Sequence, residues 1–339
     1  MEDLLKVGIV TVEPHGWPWL RVLTKFMREE ISVTTVWDYD EARARRFAKE
    51  YGIPQIAQKL EDMLGEVDAV LIAGGRRPPG EERAWGINRD DHLSLARPFL
   101  ENGIPVMIDK PLADSVDDAV EIIRLAQANN TPFMSCSANR YAPEVVALQQ
   151  IIDSGDLGRI RGVTGMLGTG VSTLGWYLVH ILEAIYVILG PGIESVFVME
   201  SGENMAVAPT IQTGHSIVFR WREGRLVNIM MLRDVTNAAT TEFTQEPRIL
   251  WPTDAIVPPY LPLFYYIQVY GEMHWHQIRV KGKSYYQRNL AAFFDSVRTG
   301  QPAIPYARTL EITQALVAAE KSARTGVVES LTPVERLMP

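Results

Sequence analysis

Lys6-Val7-Gly8-Ile9-Val10-Thr11-Val12-Glu13-Pro14-His15-Gly16 runs from a short apolar stretch through a turn, and helical periodicity follows from about Trp17 to Glu30. Val7–Val10 therefore reads as a buried strand and the segment after it as a helix. Outward from this unit the same alternation repeats. Val33–Trp37 is a second strand, closed by Asp38, and Glu41–Tyr51 is a helix with Gly52 as its stop. Val67–Ala73 and Val106–Ile108 are further strands, with a helix over Asp91–Asn102 between them. A helix over Asp117–Asn129 leads to a last strand, Pro132–Ser137. Strands joined by helices pair in parallel, and the right-handed crossover rule leaves a doubly wound sheet. Residues 1–138 are thus predicted to form a Rossmann domain of the dinucleotide-binding type.

The pattern changes after about Asn139. A helix over Pro143–Ser154 ends at Gly155, and period-two alternation then dominates. Ser216–Arg222 and Arg225–Leu232 flank Glu223-Gly224, and Phe264–Tyr270 and Met273–Val280 flank Gly271-Glu272, both hairpin signals. Trp221, Tyr265, Tyr266, Tyr270 and Trp275 make this region aromatic, as a sheet with one face on helices and one open face would be. Helices over Leu290–Thr299 and about Leu310–Thr325 close the chain and are free to return to the first domain. Residues 139–339 are expected to be an α+β domain with a large, open, mostly antiparallel sheet.

Composition sets the outer bounds. A chain of 339 residues, 47% apolar and 22% charged, is that of a globular protein of about two domains. A net charge of −8 without a Lys/Arg block offers nucleic acid no phosphate track. The lone Cys136 supports neither a disulfide framework nor a thiolate metal site. No apolar run approaches the roughly 18 residues of a membrane span, and the N-terminus has no signal-peptide pattern. A cytoplasmic protein with no membrane or nucleic-acid partner is expected.

The first turn is where a dinucleotide's diphosphate approaches a helix N-terminus, and glycines there keep Cβ atoms out of its way. Aligned on the strand, the three glycine positions fall at Thr11, Glu13 and Gly16, so one glycine remains. Glu13 places a carboxylate where the diphosphate would rest, at a cost of roughly 1 to 4 kcal/mol at about 4 Å. His15 and the helix dipole can offset part of this. Asp38 lies about 20 residues beyond Gly16, where a carboxylate accepts from the adenosine ribose and repels a 2′-phosphate. An Asp closing a strand also caps turns and helices, and both readings stand.

Gly103-Ile104-Pro105-Val106-Met107-Ile108-Asp109-Lys110-Pro111-Leu112-Ala113 resembles the Glu-Lys-Pro segment of the Gfo/Idh/MocA oxidoreductases, with Asp109 for the usual Glu. Val67-Asp68-Ala69-Val70, Asp91-His92, Asn139-Arg140-Tyr141-Ala142-Pro143, Ser154–Ile160 and the closing Glu320-Lys321-Ser322-Ala323 extend the likeness over nearly the whole chain. The resemblance implies that Lys110 stands beside the nicotinamide and the substrate's reacting oxygen. It implies a cofactor site of Thr11, Glu13, His15, Gly16, Asp38, Asp109 and Lys110. It also implies a proton-transferring His on a helix of the second domain, with an Asp four residues earlier. His180 matches; Trp176 replaces the Asp. Spacing i, i+4 keeps both on one helical face, with Leu178, Ile181, Leu182 and Ile185 on the buried one. Asn139, Arg140, Trp176 and Tyr177 are the expected substrate contacts. Family members commonly form homodimers or homotetramers through the second-domain sheet, which implies the same here.

These readings describe an oxidoreductase that passes hydride between a nicotinamide and a sugar, polyol or related hydroxyl or carbonyl compound. NAD is expected over NADP. Lys110 polarises the substrate oxygen and His180 moves the proton. A second reading rests on Thr11, Glu13 and Trp176: a relative that has lost the dinucleotide and serves as a non-redox enzyme or ligand-binding protein. A solvated Lys110 and a merely interfacial His180 are the plain alternatives for those residues. The Gly74–Asp90 segment leaves a strand's carboxyl end and carries Arg76, Arg77 and Arg83, which either hold an acidic substrate or form a solvated charged loop. His274 and His276 share a strand face but have no third ligand nearby, so no metal site is expected.

Overall fold

Leu5–Val10 forms the first strand, β1, with Val7, Ile9 and Val10 fully buried. This continuous burial marks a strand covered on both faces, as in an all-parallel sheet. In the computed structural model the described residues are 4–12, 15–74, 91–169, 174–200, 214–233, 264–281 and 285–339. They divide into two compact units. The first comprises Met1–Cys136, Tyr286–Thr313 and Leu337–Pro339, and the second Ser137–Tyr285 and Gln314–Arg336.

The first unit is built on a six-stranded sheet in the order β3-β2-β1-β4-β5-β6. Its strands are β1, β2 (Ile31–Trp37), β3 (Gln55–Ile56), β4 (Ala69–Ile72), β5 (Val106–Ile108) and β6 (Phe133–Met134), all paired in parallel. This is the Rossmann order, in which ligands bind outside the strands' carboxyl ends. Helix α1 (Gly16–Phe26) buries Trp17, Trp19, Leu20 and Leu23. It stops short of Glu30, because Arg28-Glu29-Glu30 offers no apolar side chain to continue the stripe and the N–H groups of Glu30 and Ile31 turn back onto Met27 O. Helix α2 (Glu41–Tyr51) begins at Asp40, whose carboxylate accepts from Ala42 N and Arg43 N, and ends at Gly52 in the left-handed conformation. Helices α3 (His92–Glu101) and α4 (Val116–Ala128) complete the crossovers. The edge strand β6 is shorter than the sequence suggests. It gives way to a 3-10 turn over Ala138–Tyr141, capped by Ser137.

The second unit carries helix α5 (Pro143–Asp153), helix α6 (Leu174–Leu189) and a seven-stranded sheet in the order β12-β11-β7-β10-β9-β8-β13. Its strands are β7 (Ile160–Thr169), β8 (Ile193–Glu200), β9 (Gly214–Trp221), β10 (Arg225–Arg233), β11 (Phe264–Gly271), β12 (Trp275–Val280) and β13 (Glu329–Ser330). All pairs are antiparallel except β7 with β10. Glu223 and Gly224 both take positive φ, 61° and 72°, the backbone a two-residue hairpin turn needs. One face of the sheet, including Val163, Leu167, Ile217, Phe219, Ile229 and Ile267, is buried. There α6 presses close: a Cβ at Gly165 would lie 2.8 Å from Ile181 Cδ1. The opposite face leaves Met166, Leu226, Met230, Tyr270 and Trp275 exposed. Helices α7 (Tyr285–Thr299) and α8 (Tyr306–Thr325) end the chain, and within the first unit Tyr306 stacks on Phe133 at 4.6 Å.

Candidate active site

The candidate residues of the first unit that the structure describes follow β1, β2 and β5. Thr11 follows β1 at φ 58°, the left-handed region that a β-branched residue rarely adopts. The turn therefore keeps the backbone for which glycine is usual there. The hydroxyl of Thr11, fully buried, is 2.5 Å from Gly74 O and 2.7 Å from Val10 O. Its N–H donates to Trp37 O at 2.8 Å. Val12 N–H donates to Asp38 Oδ2 at 2.8 Å, His15 N–H to Ala73 O at 3.1 Å and Gly16 N–H to Val12 O at 2.9 Å. A Cβ at Gly16 would meet Ala73 Cβ and Thr11 O at an ordinary 3.6 Å, so helix–sheet packing does not demand that glycine. Glu13 lies outside the described residues, as do Arg76, Arg77 and Arg83.

Asp38 has a fully buried side chain. Besides Val12 N–H, its carboxylate accepts from Asp40 N–H at 2.8 Å and from Arg43 Nε and Nη2 at 3.0 and 2.7 Å. It ties the first turn to the end of β2, closes the turn into α2 and is neutralised by Arg43. The cap of α2 is Asp40 instead.

Beyond β5, Asp109 and Lys110 are 4% and 5% exposed, and the Lys110–Pro111 peptide is cis. Asp109 Oδ2 is 2.8 Å from His15 Nδ1. Burial pushes the Asp109 carboxyl up. The charge and hydrogen bond of His15, with Lys110 and His92, outweigh it and hold the group below its ordinary value, ionised. His92 also contacts Leu112 O through Nδ1 at 3.0 Å, fixing the segment after Pro111. Sequence spacing contains no signal for the His15–Asp109 pair.

The second unit gathers its polar residues on α6 and the 3-10 turn before α5. His180 Nδ1 is 2.7 Å from Ser137 Oγ, which also accepts from Asn139 N–H at 3.2 Å. A serine oxygen has two lone pairs, so it can accept an Nδ1–H as well. Asn139 Nδ2 donates to His180 O at 3.4 Å. The rings of Tyr177 and Tyr265 each lie 5.7 Å from the imidazole. Burial, then the neighbouring Tyr177 and Tyr285, push the Tyr265 phenol well above its ordinary range, so it stays an O–H donor. Trp176, Tyr177 and His180 share the less buried face of α6, as the helical spacing predicts. Trp176 stands one helical turn before His180, and Ser137 is a side chain within hydrogen-bond distance of its Nδ1.

Arg140, 9% exposed, donates through Nη1 to Glu183 Oε2 at 2.6 Å. Burial raises the Glu183 pKa. Arg140, with smaller help from Ser137 N–H, lowers it, and burial prevails. Glu183 is a residue that the sequence reading missed; one turn of helix beyond His180 was its only signal. The pair yields a stability prediction. Arg140→Met leaves a buried carboxylate unpaired and should cost about 3 to 5 kcal/mol at neutral pH. A raised carboxyl pKa destabilises the fold as pH climbs from the ordinary value through the raised one, so part of the loss should return at acid pH. Denaturant unfolding at pH 7.5 and 5.0 checks this; equal losses at both would contradict it.

Among the described residues no three His, Cys, Asp or Glu side chains converge as a metal site requires. His276 lies within β12, and His274 precedes the strand, its carbonyl accepting from Gly271 N–H.

The family model described as an oxidoreductase family with an NAD-binding Rossmann fold, GFO_IDH_MocA, matches residues 6–136. This stretch is similar to the NAD-binding domain of that family. The chain is 28% identical over 170 residues to inositol 2-dehydrogenase of Corynebacterium glutamicum, covering 49% of this chain and 46% of that protein. It is 25% identical over 168 residues to trans-1,2-dihydrobenzene-1,2-diol dehydrogenase of Bos taurus, covering 50% and 47%. The matches thus span about half the length of these relatives. Among solved structures, myo-inositol 2-dehydrogenase from Lactobacillus plantarum superposes with a TM-score of 0.75 at 15% identity, over 97% of this chain and 100% of that one. Scyllo-inositol dehydrogenase from Lactobacillus casei, solved with NAD(H) and scyllo-inositol, gives 0.74 at 15%, over 97% and 99%. The second unit thus shares the fold of the corresponding part of these structures. No helix among the described residues is long and apolar enough to cross a membrane.

Proposed function

We propose that this protein is an NAD(H)-dependent dehydrogenase acting on the CH–OH carbon of a sugar, polyol or related small molecule. The observation that carries the reading is Lys110, buried directly after β5 at the carboxyl edge of a 3-2-1-4-5-6 parallel sheet. Asp109 beside it offsets the cost of burying this cation, and Lys110 brings a positive charge to the edge where ligands of such sheets bind. Lys110 and His15 suit an anionic dinucleotide, although the main chain of the first turn is engaged elsewhere. A bound nicotinamide supplies the hydride acceptor or donor. Lys110 stabilises negative charge on the substrate oxygen, and His180, oriented by Ser137, takes or returns the hydroxyl proton at Nε2. Asn139, Tyr177 and Trp176 are the contacts assigned to substrate. Arg140 holds Glu183 and supports that group from within. The test is a screen of polyols, sugars and hydroxy acids with NAD and NADP, read at the reduced nicotinamide's absorbance. No turnover with any substrate, together with no dinucleotide binding at millimolar concentration, would overturn the reading.

Cofactor preference follows from Asp38. Because Arg43 neutralises that carboxylate within the chain, NAD should be preferred over NADP by no more than about tenfold. Titration of both cofactors at one ionic strength checks this, and a hundredfold preference would mean that the carboxylate faces the ribose.

We further propose that two copies associate through the open face of the second unit's sheet. Met166 and Met230 border a groove of about 450 Å³ there, with Thr164, Asn228 and Gln268, and the exposed Leu226, Tyr270 and Trp275 extend the apolar surface. Contiguous apolar surface of this kind marks an interface more often than open solvent. Light scattering at micromolar concentration should report a dimer or larger, and Met230→Glu should shift it to monomer. A monomeric wild type would dispose of the proposal. A cytoplasmic location is part of the same reading.

A further inference from the structure

Helix α6 carries two polar side chains about one turn apart, His180 and Glu183, and the 3-10 turn over Ala138–Tyr141 is bonded to both. The Glu183 side chain is 3% exposed, and its carboxylate accepts from Arg140 Nη1 at 2.6 Å and from Ser137 N–H. Ser137 is the cap of the turn and Arg140 lies near its end, so one carboxylate grips it at two places. The contacts to His180 come from the same short segment. Ser137 Oγ is 2.7 Å from His180 Nδ1, and Asn139 Nδ2 donates to His180 O at 3.4 Å. Ser137 thus meets Glu183 through its main chain and His180 through its side chain. Inside the turn, Arg140 N–H donates to Ser137 O at 3.1 Å and Asn139 N–H to Ser137 Oγ at 3.2 Å, which ties the three residues together. A buried ion pair gains little over well-packed apolar side chains, so fixing one arrangement of the chain is the use to look for.

We propose that Glu183 is a positioning residue: it seats the turn of residues 137–141 on α6 and, through Ser137, sets the ring of His180 for proton transfer. This rests on the dehydrogenase reading above, in which His180 moves the hydroxyl proton. Glu183 itself is assigned no contact with substrate or cofactor. Proton transfer needs the ring nitrogen within hydrogen-bond reach of the hydroxyl, and a misplacement of about 1 Å can cost about a hundredfold. Ser137 and Asn139 are buried, so water is not at hand to replace a lost bond and hold the turn in place.

The test is a double-mutant cycle between Glu183→Gln and His180→Ala, read in kcat and in dinucleotide affinity. Glutamine keeps the length of the side chain, but it carries no charge and offers one acceptor oxygen where two donors converge. Glu183→Gln alone should lower kcat about tenfold to a hundredfold and leave dinucleotide affinity within a few-fold of wild type. In the His180→Ala background the same change should cost less than about twofold, because the ring it positions is gone. Arg140→Lys retains the buried charge pair with a different donor geometry, and it should show the same coupling should Glu183→Gln fold poorly. A second readout needs no turnover. In long-range proton–nitrogen spectra the His180 ring, identified by its absence from His180→Ala, should shift in Glu183→Gln. Equal losses of kcat with and without His180, or ring signals that stay at their wild-type positions, overturn the proposal and leave the dehydrogenase reading standing. A wild type without turnover on any substrate, or a His180→Ala variant that turns over normally, defeats the role given to His180 and this proposal with it.

Discussion

Lys110→Met is expected to lower kcat/KM by about 10³-fold or more while leaving dinucleotide affinity within a few-fold of wild type. The side chain is buried beside Asp109 at the end of β5. Its role is assigned to negative charge that develops on the substrate oxygen as the C–H bond is broken, so its loss falls on the transition state rather than on ground-state binding. Methionine keeps the length and apolar stem of lysine, which separates lost charge from lost packing. Removing this cation also leaves Asp109 one fewer compensating charge, with His15 and His92 remaining. A small loss of thermal stability is therefore compatible with the assignment. Steady-state kinetics and cofactor titration on the same preparation decide it. A variant that turns over normally, or one that loses activity only through lost cofactor affinity, would remove Lys110 from the chemistry.

His180→Ala should cost roughly 10²- to 10⁴-fold in kcat/KM and flatten the pH profile near neutrality. In the direction of alcohol oxidation the neutral imidazole is the working form. Wild-type activity should therefore rise with pH through the histidine range, and the variant should lack that limb. Ser137→Ala is the companion variant. It removes the hydroxyl 2.7 Å from Nδ1 of the imidazole. It should lower activity less than loss of the imidazole does, and shift the pH limb rather than abolish it. An unchanged profile in Ser137→Ala would mean that another group orients the ring. Tyr265 stays protonated throughout and adds no pH step of its own in this range.

The sequence by itself determined the first unit and much of the second. The alternation of buried strands and amphipathic helices from Val7 to Met134 is a local property, carried by side-chain period and by stop signals such as Gly52. That is why Glu41–Tyr51 and Val106–Ile108 were legible to the residue. The turn at Glu223-Gly224 was legible for the same reason, since positive φ is needed there and few residues supply it. The Asp109–Ala113 segment pointed to the family without any contact being known. Two element ends fall short of the sequence pattern: α1 stops at Phe26, where Arg28-Glu29-Glu30 ends the apolar stripe, and β6 is cut to Phe133–Met134 at the sheet edge.

Only the tertiary structure decided how the candidate residues are used. His15 meets Asp109 across 94 positions, Ser137 meets His180 across 43, and Val12 meets Asp38 across 26. Asp38, free on paper to read a ribose, is drawn into the protein by Arg43 and two N–H groups. Arg140, expected at the substrate, is committed to Glu183. The physical reason is common to all of these. A buried charge must find a partner once water is removed, and which partner is in reach depends on how the strands and helices pack, not on the order of residues along the chain.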